Sequence, residues 1–523
     1  MDEVELKFVL DGPAEKRLRE NPALARLAGG KAVTESLHTI YYDTADRALK
    51  AAGIALRLRR KGRRWVQTVK AGRSLRSGLS RAAEAECPVR AGRLELDLVP
   101  DPDLRAALKR HLDGRQPEPV CETRMRRTRR DLVLADGARI ELAIDVGEVR
   151  AGGRAEPWRE AELELRQGAP AALFAAARLL LPEGGLEFSG MTKAERGYLL
   201  AEQGRIRPPL APRKARAVPL RRRESTGEAA AAVLRECLDQ VAANALVVAQ
   251  GDDPEGPHQL RVGLRRLRAA LAVFGLGAGT GPLAPLNGEA RWLGQEVGRL
   301  RDLDVVRHDI IGPEAGAHPG EAGFATLMRA LADAAREERA RLRTTLKSAR
   351  VHGFLLDLAA SVETPGWADS ADAAALARPV PERARAALAA TWKRTAKRAG
   401  KTGRDIEALS VEQRHELRKA LKRLRYAVEF CAPLFPAKAV RPFLKRLREL
   451  QDLFGDLNDV AVAEALFSGP DAPGAPGAPA AGDPAAARAI GLVIGARRER
   501  AERAWASARA AWQALSETPR FWA

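Results

Sequence analysis

A period-two alternation of charged and apolar residues runs through the first 200 positions and restricts the fold more than any other feature. Because successive side chains of a strand point to opposite faces, Glu3, Glu5 and Lys7 share one face of an opening strand and apolar residues share the other. The same pattern predicts further strands at 37–42, 54–60, 64–70, 83–89, 122–134, 139–150 and 158–166, with helices near 13–27, 101–112 and 170–181. An antiparallel sheet of this size commonly closes into a barrel with alternate residues pointing inward.

On several of these strands one face carries charge, and basic and acidic pairs occupy separate strands. The sets are Arg57 with Arg59, Thr68 with Lys70, Glu84 with Glu86, Arg124 with Arg126, Glu141 with Asp145, and Glu162 with Glu164 and Arg166. A sheet with one solvated face gives the same alternation. The sorting of charge by strand favours an interior that holds a polyanion through Arg and Lys and a divalent cation through carboxylates. Carboxylates would repel a phosphate substrate unless Mg²⁺ or Mn²⁺ lay between them, so the acidic strands predict metal dependence.

The net charge also favours a polyanionic partner. The 523 residues carry a formal charge of +20, which suits nucleic acid, anionic lipid or polyphosphate. The four cysteines lack any C-x-x-C spacing and are expected to be free thiols in a reducing compartment. The N-terminus has no signal-peptide pattern and no apolar run is long enough to span a bilayer, so we expect a cytoplasmic protein with no membrane partner.

The motifs of residues 1–202 together resemble the CYTH family, the triphosphate tunnel metalloenzymes. The matching stretches are Glu3-x-Glu5-x-Lys7, Tyr41 to Thr44, Leu56 to Arg59, Gln67 to Lys70, Ile144 to Val149, Glu162 to Leu165 and Lys193 to Tyr198. The resemblance implies an α+β domain built on a closed eight-stranded antiparallel β-barrel, whose tunnel binds a triphosphate group with Mg²⁺ or Mn²⁺. Members that carry a C-terminal helical domain resemble inorganic triphosphatases.

Carried over residue by residue, the resemblance implies three overlapping sets of site residues. The expected catalytic residues are Glu3, Glu5, Lys7 and Lys70. The expected metal ligands are Glu3, Glu5, Glu162, Glu164 and Asp145, the last of which could instead be a structural partner for an arginine. The expected substrate contacts are Arg57, Arg59, Arg124, Arg126, Lys193 and Arg196. Whether Arg81, Glu84 and Glu86 face the tunnel stays open, because the turn at 72–78 could shift the register of their strand.

A basic, proline-rich stretch at 203–219 is typical of an exposed, stiff linker and separates this domain from a second one at 220–523. The second domain is rich in Ala, Leu and Arg and has helical periodicity. The run HQLRVGLRRLR at 258–268 returns 157 residues later as HELRKALKRLR at 415–425. A second matching stretch follows each copy, at 301–305 and 456–460, so a whole helical unit is predicted to be duplicated.

The spacing gives each repeated helix two stripes. In the first copy Leu260, Leu264 and Leu267 recur at helical steps and predict a core-facing stripe. Roughly 100° round the helix lies a basic stripe. Its members are His258, Arg261, Arg265 and Arg268 in the first copy and His415, Arg418, Lys422 and Arg425 in the second. A solvated helix normally mixes in acids to form i,i+4 pairs, and the first copy has none, which favours anion binding.

This helical half resembles the CHAD domain, which often follows a CYTH domain. The resemblance implies an all-α pair of similar bundles that binds inorganic polyphosphate on a basic surface formed by the two basic stripes. Asp302, Asp304 and Asp459 are expected to anchor the arginines rather than to do chemistry. The insert at 469–487, rich in Ala, Pro and Gly, departs from the family pattern and is expected to be a disordered loop.

The sequence therefore predicts a metal-dependent inorganic triphosphatase whose helical domain binds polyphosphate, and that binding would bring the protein to polyphosphate granules. Two alternatives stay open. One is a triphosphatase or cyclase that acts on an organic triphosphate such as thiamine triphosphate or ATP. The other is a scaffold with an idle barrel that binds polyphosphate or nucleic acid. Nucleic acid is the less favoured ligand, because few aromatics accompany the basic stripes and no recognition-helix motif is present.

Overall fold

The computed structural model describes residues 2–90, 92–182, 187–277, 281–369, 373–400, 406–468 and 483–523, with the backbone alone at 2, 73, 368–369 and 458–468. Contacts divide the chain into two compact units. The first is formed by Met1–Leu210 with Lys347–Thr364, and the second by Ala211–Leu346 with Pro365–Ala523.

Eight antiparallel strands of the first unit form a closed barrel. They are β1 (Asp2–Val9), β2 (Val33–Asp43), β3 (Ala55–Lys61), β4 (Arg64–Arg76), β5 (Leu79–Val89), β6 (Glu118–Val133), β7 (Arg139–Ala151) and β8 (Arg154–Gln167). The order is β5-β4-β3-β2-β6-β7-β8-β1, and β5 pairs back onto β1, which leaves no free edge between them. A two-residue strand, β9 (Glu187–Phe188), adds to β1. The predicted eight-stranded barrel is confirmed.

Much of the apolar core of this unit lies between the outside of the barrel and the helices that cover it. These helices are α1 (Gly12–Glu20), α2 (Pro22–Leu27), α3 (Ala48–Ala51), α4 (Pro102–Leu112) and α5 (Ala171–Leu180). In one cluster Leu56 and Val69 pack against Leu104 and Leu108 of α4. The helix predicted at 13–27 is two helices, because Asn21 ends α1 and caps α2 with its side chain.

Helix α6 (Lys193–Gln203) packs on inward-facing apolar residues of β6 and β7 and closes one end of the barrel interior. A capping box at Thr192 begins the helix. The approach is close at Gly197, where a Cβ would lie 2.1 Å from the Sγ of Cys121. This position of α6 places its first residue, Lys193, in the lining of the cavity that remains inside the barrel.

The second unit is helical, as predicted. Its helices are α7 (Thr226–Gln250), α8 (Glu255–Phe274), α9 (Ala284–Asp304), α10 (Gly312–Ala317), α11 (Gly323–Leu346), α13 (Ala373–Leu376), α14 (Val380–Arg398), α15 (Val411–Cys431), α16 (Ala437–Ser468) and α17 (Pro484–Glu517). A π-helix, Val305–Ile311, joins α9 to α10. The two copies of the repeated motif lie on α8 and α15, and their leucine stripes are buried.

Helix α12 (Ala349–Glu363) belongs by its contacts to the first unit, where it packs against α5. An ion pair between Arg178 and Asp357 joins the two helices. Most of the insert at 469–487 lies outside the described residues, which resume at 483. None of the helices that the structure describes combines the length and the apolar character needed to cross a bilayer.

Candidate functional site

The barrel encloses a charged cavity of ≈ 70 Å³. Its charged lining residues are Glu3, Glu5, Lys7, Arg57, Arg59, Lys70, Arg127, Glu162, Glu164 and Lys193. The six cations outnumber the four carboxylates, so the lining is net positive. A cavity of this volume is large enough for several water molecules.

Glu162 is the centre of the ion-pair network in this cavity. Its Oε1 accepts hydrogen bonds from Lys7 at 2.6 Å and Lys193 at 2.8 Å, and its Oε2 accepts one from Arg127 at 2.6 Å. Lys7 comes within reach because it is the register partner of Glu162 where β1 pairs with β8. Burial alone would raise the pKa of this carboxyl, but the three cations hold it well below its usual range. Glu162 is therefore a fixed anion.

The opening motif places its three charged residues in the same cavity. The Lys7 ammonium lies 2.7 Å from Glu5, and the Lys70 ammonium pairs with Glu3. Burial lowers the pKa of Lys7, but Glu162 and Glu5 outweigh burial and raise it well above its usual range. The predicted catalytic residues are thus brought together, and each carboxylate of the set has a lysine partner.

The two arginines of β3 also line the cavity, with unequal compensation of their charge. Arg57 contacts Glu84 at 3.2 Å. Arg59 is only 8% exposed and donates to the hydroxyl of Thr39 at 3.2 Å, and no carboxylate among the described residues pairs with it. Burial, together with Arg57 and Arg127, lowers the pKa of Arg59 to about 10. A buried guanidinium without a counter-charge would be stabilised by an anion in the cavity.

Glu164 faces Glu5 where β8 pairs with β1. Burial raises the pKa of Glu164 to about 7, with Arg166 opposing the rise and the carboxylate of Glu3 adding to it. A hard divalent cation neutralises oxygen ligands that repel one another in this way. Glu3, Glu5 and Glu164 therefore fit Mg²⁺ or Mn²⁺ as a ligand set. Within the described ranges, no three His, Cys, Asp or Glu side chains are gathered closely enough to form a ready-made metal site.

Arg124 and Arg126 do not reach the cavity, contrary to expectation. Both are exposed on the outward face of β6, and the arginine of this strand that lines the cavity is Arg127. The strand carries arginines on both faces, so alternation alone does not identify the inward one. Pairing does, because Arg127 is the register partner of Asp145 on β7 and donates two hydrogen bonds of 2.7 Å to its carboxylate.

Asp145 and Arg196 also lie outside the cavity lining. Asp145 is fully buried between Arg127 and the ammonium of Lys193 at 2.8 Å, which are the contacts of a structural partner rather than of a metal ligand. The guanidinium of Arg196 is buried and stacks on Trp158 at 3.6 Å. Arg196 lies three residues after Lys193 on α6, so its side chain points in a different direction from that of Lys193. There it donates hydrogen bonds to two oxygen atoms.

Glu160 is a cavity neighbour that was not among the predicted site residues. It is fully buried and accepts a hydrogen bond from the indole nitrogen of Trp158 at 2.8 Å. Its Oε1 lies 3.7 Å from Lys193 and 4.0 Å from Lys7. The signal was present, because the period-two run that contains Glu162 extends back to this residue.

The open question on β5 is answered residue by residue. Glu84 faces the cavity side, where it contacts Arg57 and Lys70. Glu86 is exposed, although it lies 3.5 Å from Arg57, and Arg81 is exposed on the other face. The register of β4 on β5 shifts near the turn that made these positions uncertain.

In the helical unit, α8 and α15 bring most of the two basic stripes together. We define the central basic cluster by the members that act on one another electrostatically, which are His258, Arg261, Arg265, His415, Arg418, Lys422 and Arg425. An ion pair between the buried Arg266 and the half-buried Glu429, 2.9 Å apart, joins the two helices beside the cluster. Arg301 of α9 was not predicted as a member of this cluster. It nevertheless acts on His258, whose pKa is lowered mainly by burial and next by Arg301.

Arg268 and the anchoring aspartates depart from the predicted pattern. Arg268 faces Arg291 and Arg423, and it donates to an asparagine rather than joining the cluster. Asp302 does contact a stripe arginine, since it lies 2.6 Å from Arg261. Asp304 is buried instead near Arg339, at 3.8 Å. The side chain of Asp459 lies outside the described residues.

Comparison with known proteins matches both halves of the chain. The family model described as the CYTH domain matches residues 1–198, and the one described as the CHAD domain matches residues 232–468. An inorganic triphosphatase from Haemophilus influenzae is 31% identical over 168 residues, which are 32% of this chain and 46% of that protein. The chain therefore matches less than half the length of this relative.

Two solved structures are similar to parts of the chain. The CHAD domain from the plant Ricinus communis is 30% identical with a TM-score of 0.49, and the match covers 60% of this chain and 98% of that one. HpAC1, a candidate adenylyl cyclase from Hippeastrum described as having a dominant triphosphatase activity, is 21% identical with a TM-score of 0.27. That match covers 39% of this chain and 98% of the other.

Proposed function

We propose that in this chain, which carries a CYTH domain followed by a CHAD domain, the barrel hydrolyses inorganic triphosphate with the help of a divalent metal and the helical domain binds inorganic polyphosphate. The reaction adds water to a phosphoanhydride bond and releases phosphate and pyrophosphate. Inorganic triphosphate is preferred over ATP or thiamine triphosphate in this proposal because of the similarity to an inorganic triphosphatase.

The observation that carries the proposal is the group of six cations around one small cavity, with Arg59 lacking a carboxylate partner among the described residues. A row of phosphates needs several donors that neutralise it, and phosphoryl transfer needs little beyond positioning, charge neutralisation and an oriented water. Arg57, Arg59 and Arg127 would bind phosphate oxygens through their guanidinium groups, while Lys193 adds a charge from α6.

Entry of the substrate requires an exchange of partners. Lys7 and Lys70 are engaged by carboxylates in the structure, so these ion pairs would have to separate for both lysines to bind a triphosphate group. Lys7 leaves Glu5 and Lys70 leaves Glu3, and both ammonium groups turn to phosphate oxygens. The exchange replaces one set of ion pairs by another and therefore costs less than burying an unpaired charge.

The released carboxylates have a second role. Glu3 and Glu5, released in this way, and Glu164 beside them are the residues that would hold Mg²⁺ or Mn²⁺, which would neutralise phosphate charge and orient a water. Glu162, which was also expected as a metal ligand, keeps Lys193 and Arg127 as partners and fixes the position of the cation-rich side of the cavity. Asp145 holds Arg127 in place through two hydrogen bonds.

The test is phosphate release from tripolyphosphate by the purified chain, with Mg²⁺ or Mn²⁺ and then with EDTA. ATP and thiamine triphosphate are assayed beside it at equal concentration. Metal-dependent release that favours tripolyphosphate supports the proposal. A preference for ATP or thiamine triphosphate would replace the substrate, and no release from any of the three would leave the barrel as a binding module.

Glu5→Gln tests the assigned site. The change keeps the size of a side chain that is 6% exposed in the cavity and removes its charge, so turnover is expected to fall by at least ~10²-fold. Glu118→Gln, on an exposed position of β6, is the control and should retain turnover. Equal turnover in the two variants would remove Glu5 from the mechanism.

Polyphosphate binding is proposed for the central basic cluster, because cations from α8 and α15 converge there. The full chain is titrated in EDTA with long-chain polyphosphate and, separately, with duplex DNA at physiological salt. Since phosphate contacts of any polyanion weaken as salt rises, the comparison is made at one salt concentration. Tighter binding of polyphosphate is expected, and equal affinity for DNA would contradict a specific site.

We also propose that the protein acts in the cytoplasm. All four cysteines are buried free thiols, which suits a reducing compartment. Polyphosphate binding would concentrate the enzyme on polyphosphate granules, which a fluorescent fusion observed under phosphate-rich and phosphate-poor growth would test.

A further inference from the structure

Lys422 lies at the centre of the central basic cluster. Among the described residues, the charges that act most strongly on it are those of four arginines, Arg418 and Arg425 on its own helix and Arg261 and Arg265 on α8. No carboxylate among the described residues pairs with its ammonium group. The position is therefore crowded with like charge from two helices.

The neighbouring arginines are compensated to different degrees. Arg261 lies 2.6 Å from Asp302, and Arg425 lies 3.2 Å from Glu429 and donates to an amide of α16. Arg265 is bonded to a backbone carbonyl of its own helix. Among the described residues, Asp302 and Glu429 thus compensate two of these guanidinium groups, whereas Lys422 has no carboxylate partner.

Arginine and lysine respond differently to such crowding. A guanidinium stays protonated in proteins, whereas an ammonium can release its proton. Burial, followed by the four arginines, lowers the pKa of Lys422 to about 6. In the free protein near neutral pH, loss of this proton would therefore relieve the repulsion among the neighbouring cations.

A bound polyanion favours the protonated form of Lys422. Phosphate groups laid along α8 and α15 offset the charge of the arginines, and an ammonium in contact with them is favoured over an amine. We propose that Lys422 takes up a proton when polyphosphate binds, so that this lysine adjusts the charge of the surface to its ligand. The inference rests on the proposed binding of polyphosphate by the helical domain.

Two histidines face the same cluster and need to be separated from this effect. His258 projects from α8 and is acted on by Arg301 of α9, and His415 lies on α15 beside Lys419. Burial, and then these cations, lowers the pKa of both rings below the usual value. Both rings are therefore mostly neutral in the free protein at pH 7.5, and their proton uptake is separated from that of Lys422 by comparing wild type with Lys422→Arg, which keeps both histidines.

The experiment is isothermal titration calorimetry of the full chain with long-chain polyphosphate in EDTA at pH 7.5. Repeating it in two buffers of different ionisation enthalpy gives the number of protons taken up on binding. We expect wild type to take up about one proton more than Lys422→Arg, and its affinity to fall by up to about tenfold per pH unit between pH 6.5 and 8. Lys422→Arg should bind with a weaker dependence on pH.

Lys419→Arg is the matched control, because Lys419 lies on the same helix and pairs with Glu416. It should take up as many protons as wild type. Lys422→Met, which cannot be charged, gives a second reading if the arginine variant folds poorly, and its affinity should equal that of wild type at high pH. Binding with the same proton uptake in wild type and both Lys422 variants overturns the inference alone. Absence of binding overturns the proposed binding function, and the inference with it.

Discussion

Arg127→Gln tests the role of the inward arginine of β6, which lines the cavity. In the structure this guanidinium donates two hydrogen bonds of 2.7 Å to Asp145 and one of 2.6 Å to Glu162. Asp145 is fully buried, and after the change its only cation within ion-pair distance among the described residues is Lys193. The variant therefore leaves a buried charge with half of its compensation.

The expected cost is about 3–5 kcal/mol of barrel stability, as for removal of one partner from a buried ion pair. Adding Asp145→Asn removes the charge that was left behind, so the double variant should recover most of that loss. Arg126→Gln changes the adjacent but exposed residue and is expected to alter stability by less than about 0.5 kcal/mol. Turnover should be lost in both Arg127 variants and kept in the Arg126 variant.

The effect depends on pH with a defined sign. Burial opposes ionisation of Asp145, but Arg127 and Lys193 hold its pKa below the usual 3.8. A carboxyl with a lowered pKa in the folded state contributes stability above its unfolded pKa and loses that contribution as pH falls through the folded one. The difference between wild type and Arg127→Gln should therefore shrink below about pH 4.

The assay is hydrogen exchange of peptides from β6 and β7 as a function of urea, because it reports on the barrel separately from the helical unit. Measurements at pH 7 and pH 3.5 test whether the difference in stability between wild type and Arg127→Gln is smaller at the lower pH. The reasoning is refuted if Arg126→Gln costs as much as Arg127→Gln, or if the double variant is no more stable than the single one.

Gly147→Ala should destabilise the barrel by more than about 3 kcal/mol in urea unfolding, because its Cβ would lie 2.0 Å from a backbone carbonyl oxygen of β6. Gly491→Ala, on α17 where an added Cβ has open space around it, should change the free energy of unfolding by less than about 1 kcal/mol. Arg266→Met should lower helical stability by roughly 1–3 kcal/mol, since Glu429 loses a buried partner; an unchanged melting temperature would contradict this. The four buried thiols should resist a thiol reagent at pH 8 until the chain is denatured, and rapid labelling of the native protein would show that the packing is wrong.

The sequence by itself determined the elements and which residues share a face. Alternation predicted the strands of the barrel, and the spacing of HQLRVGLRRLR predicted a helix with a leucine stripe and a basic stripe. These are local properties, because the side-chain direction in a strand or a helix repeats with a fixed period along the chain. The residues Glu3, Glu5 and Lys7 could be predicted to share a face on that ground.

Only the tertiary structure decided which face is inside and which charges meet. On β6 both faces carry arginines, so the choice of Arg127 over Arg126 came from pairing with Asp145, eighteen positions further along the chain. Burial and then Arg418 of its own helix lower the pKa of Lys422, and the arginines of α8, far away in sequence, lower it further. Burial and Coulomb energy depend on distances between segments that are remote along the chain, and no periodicity within one segment contains those distances.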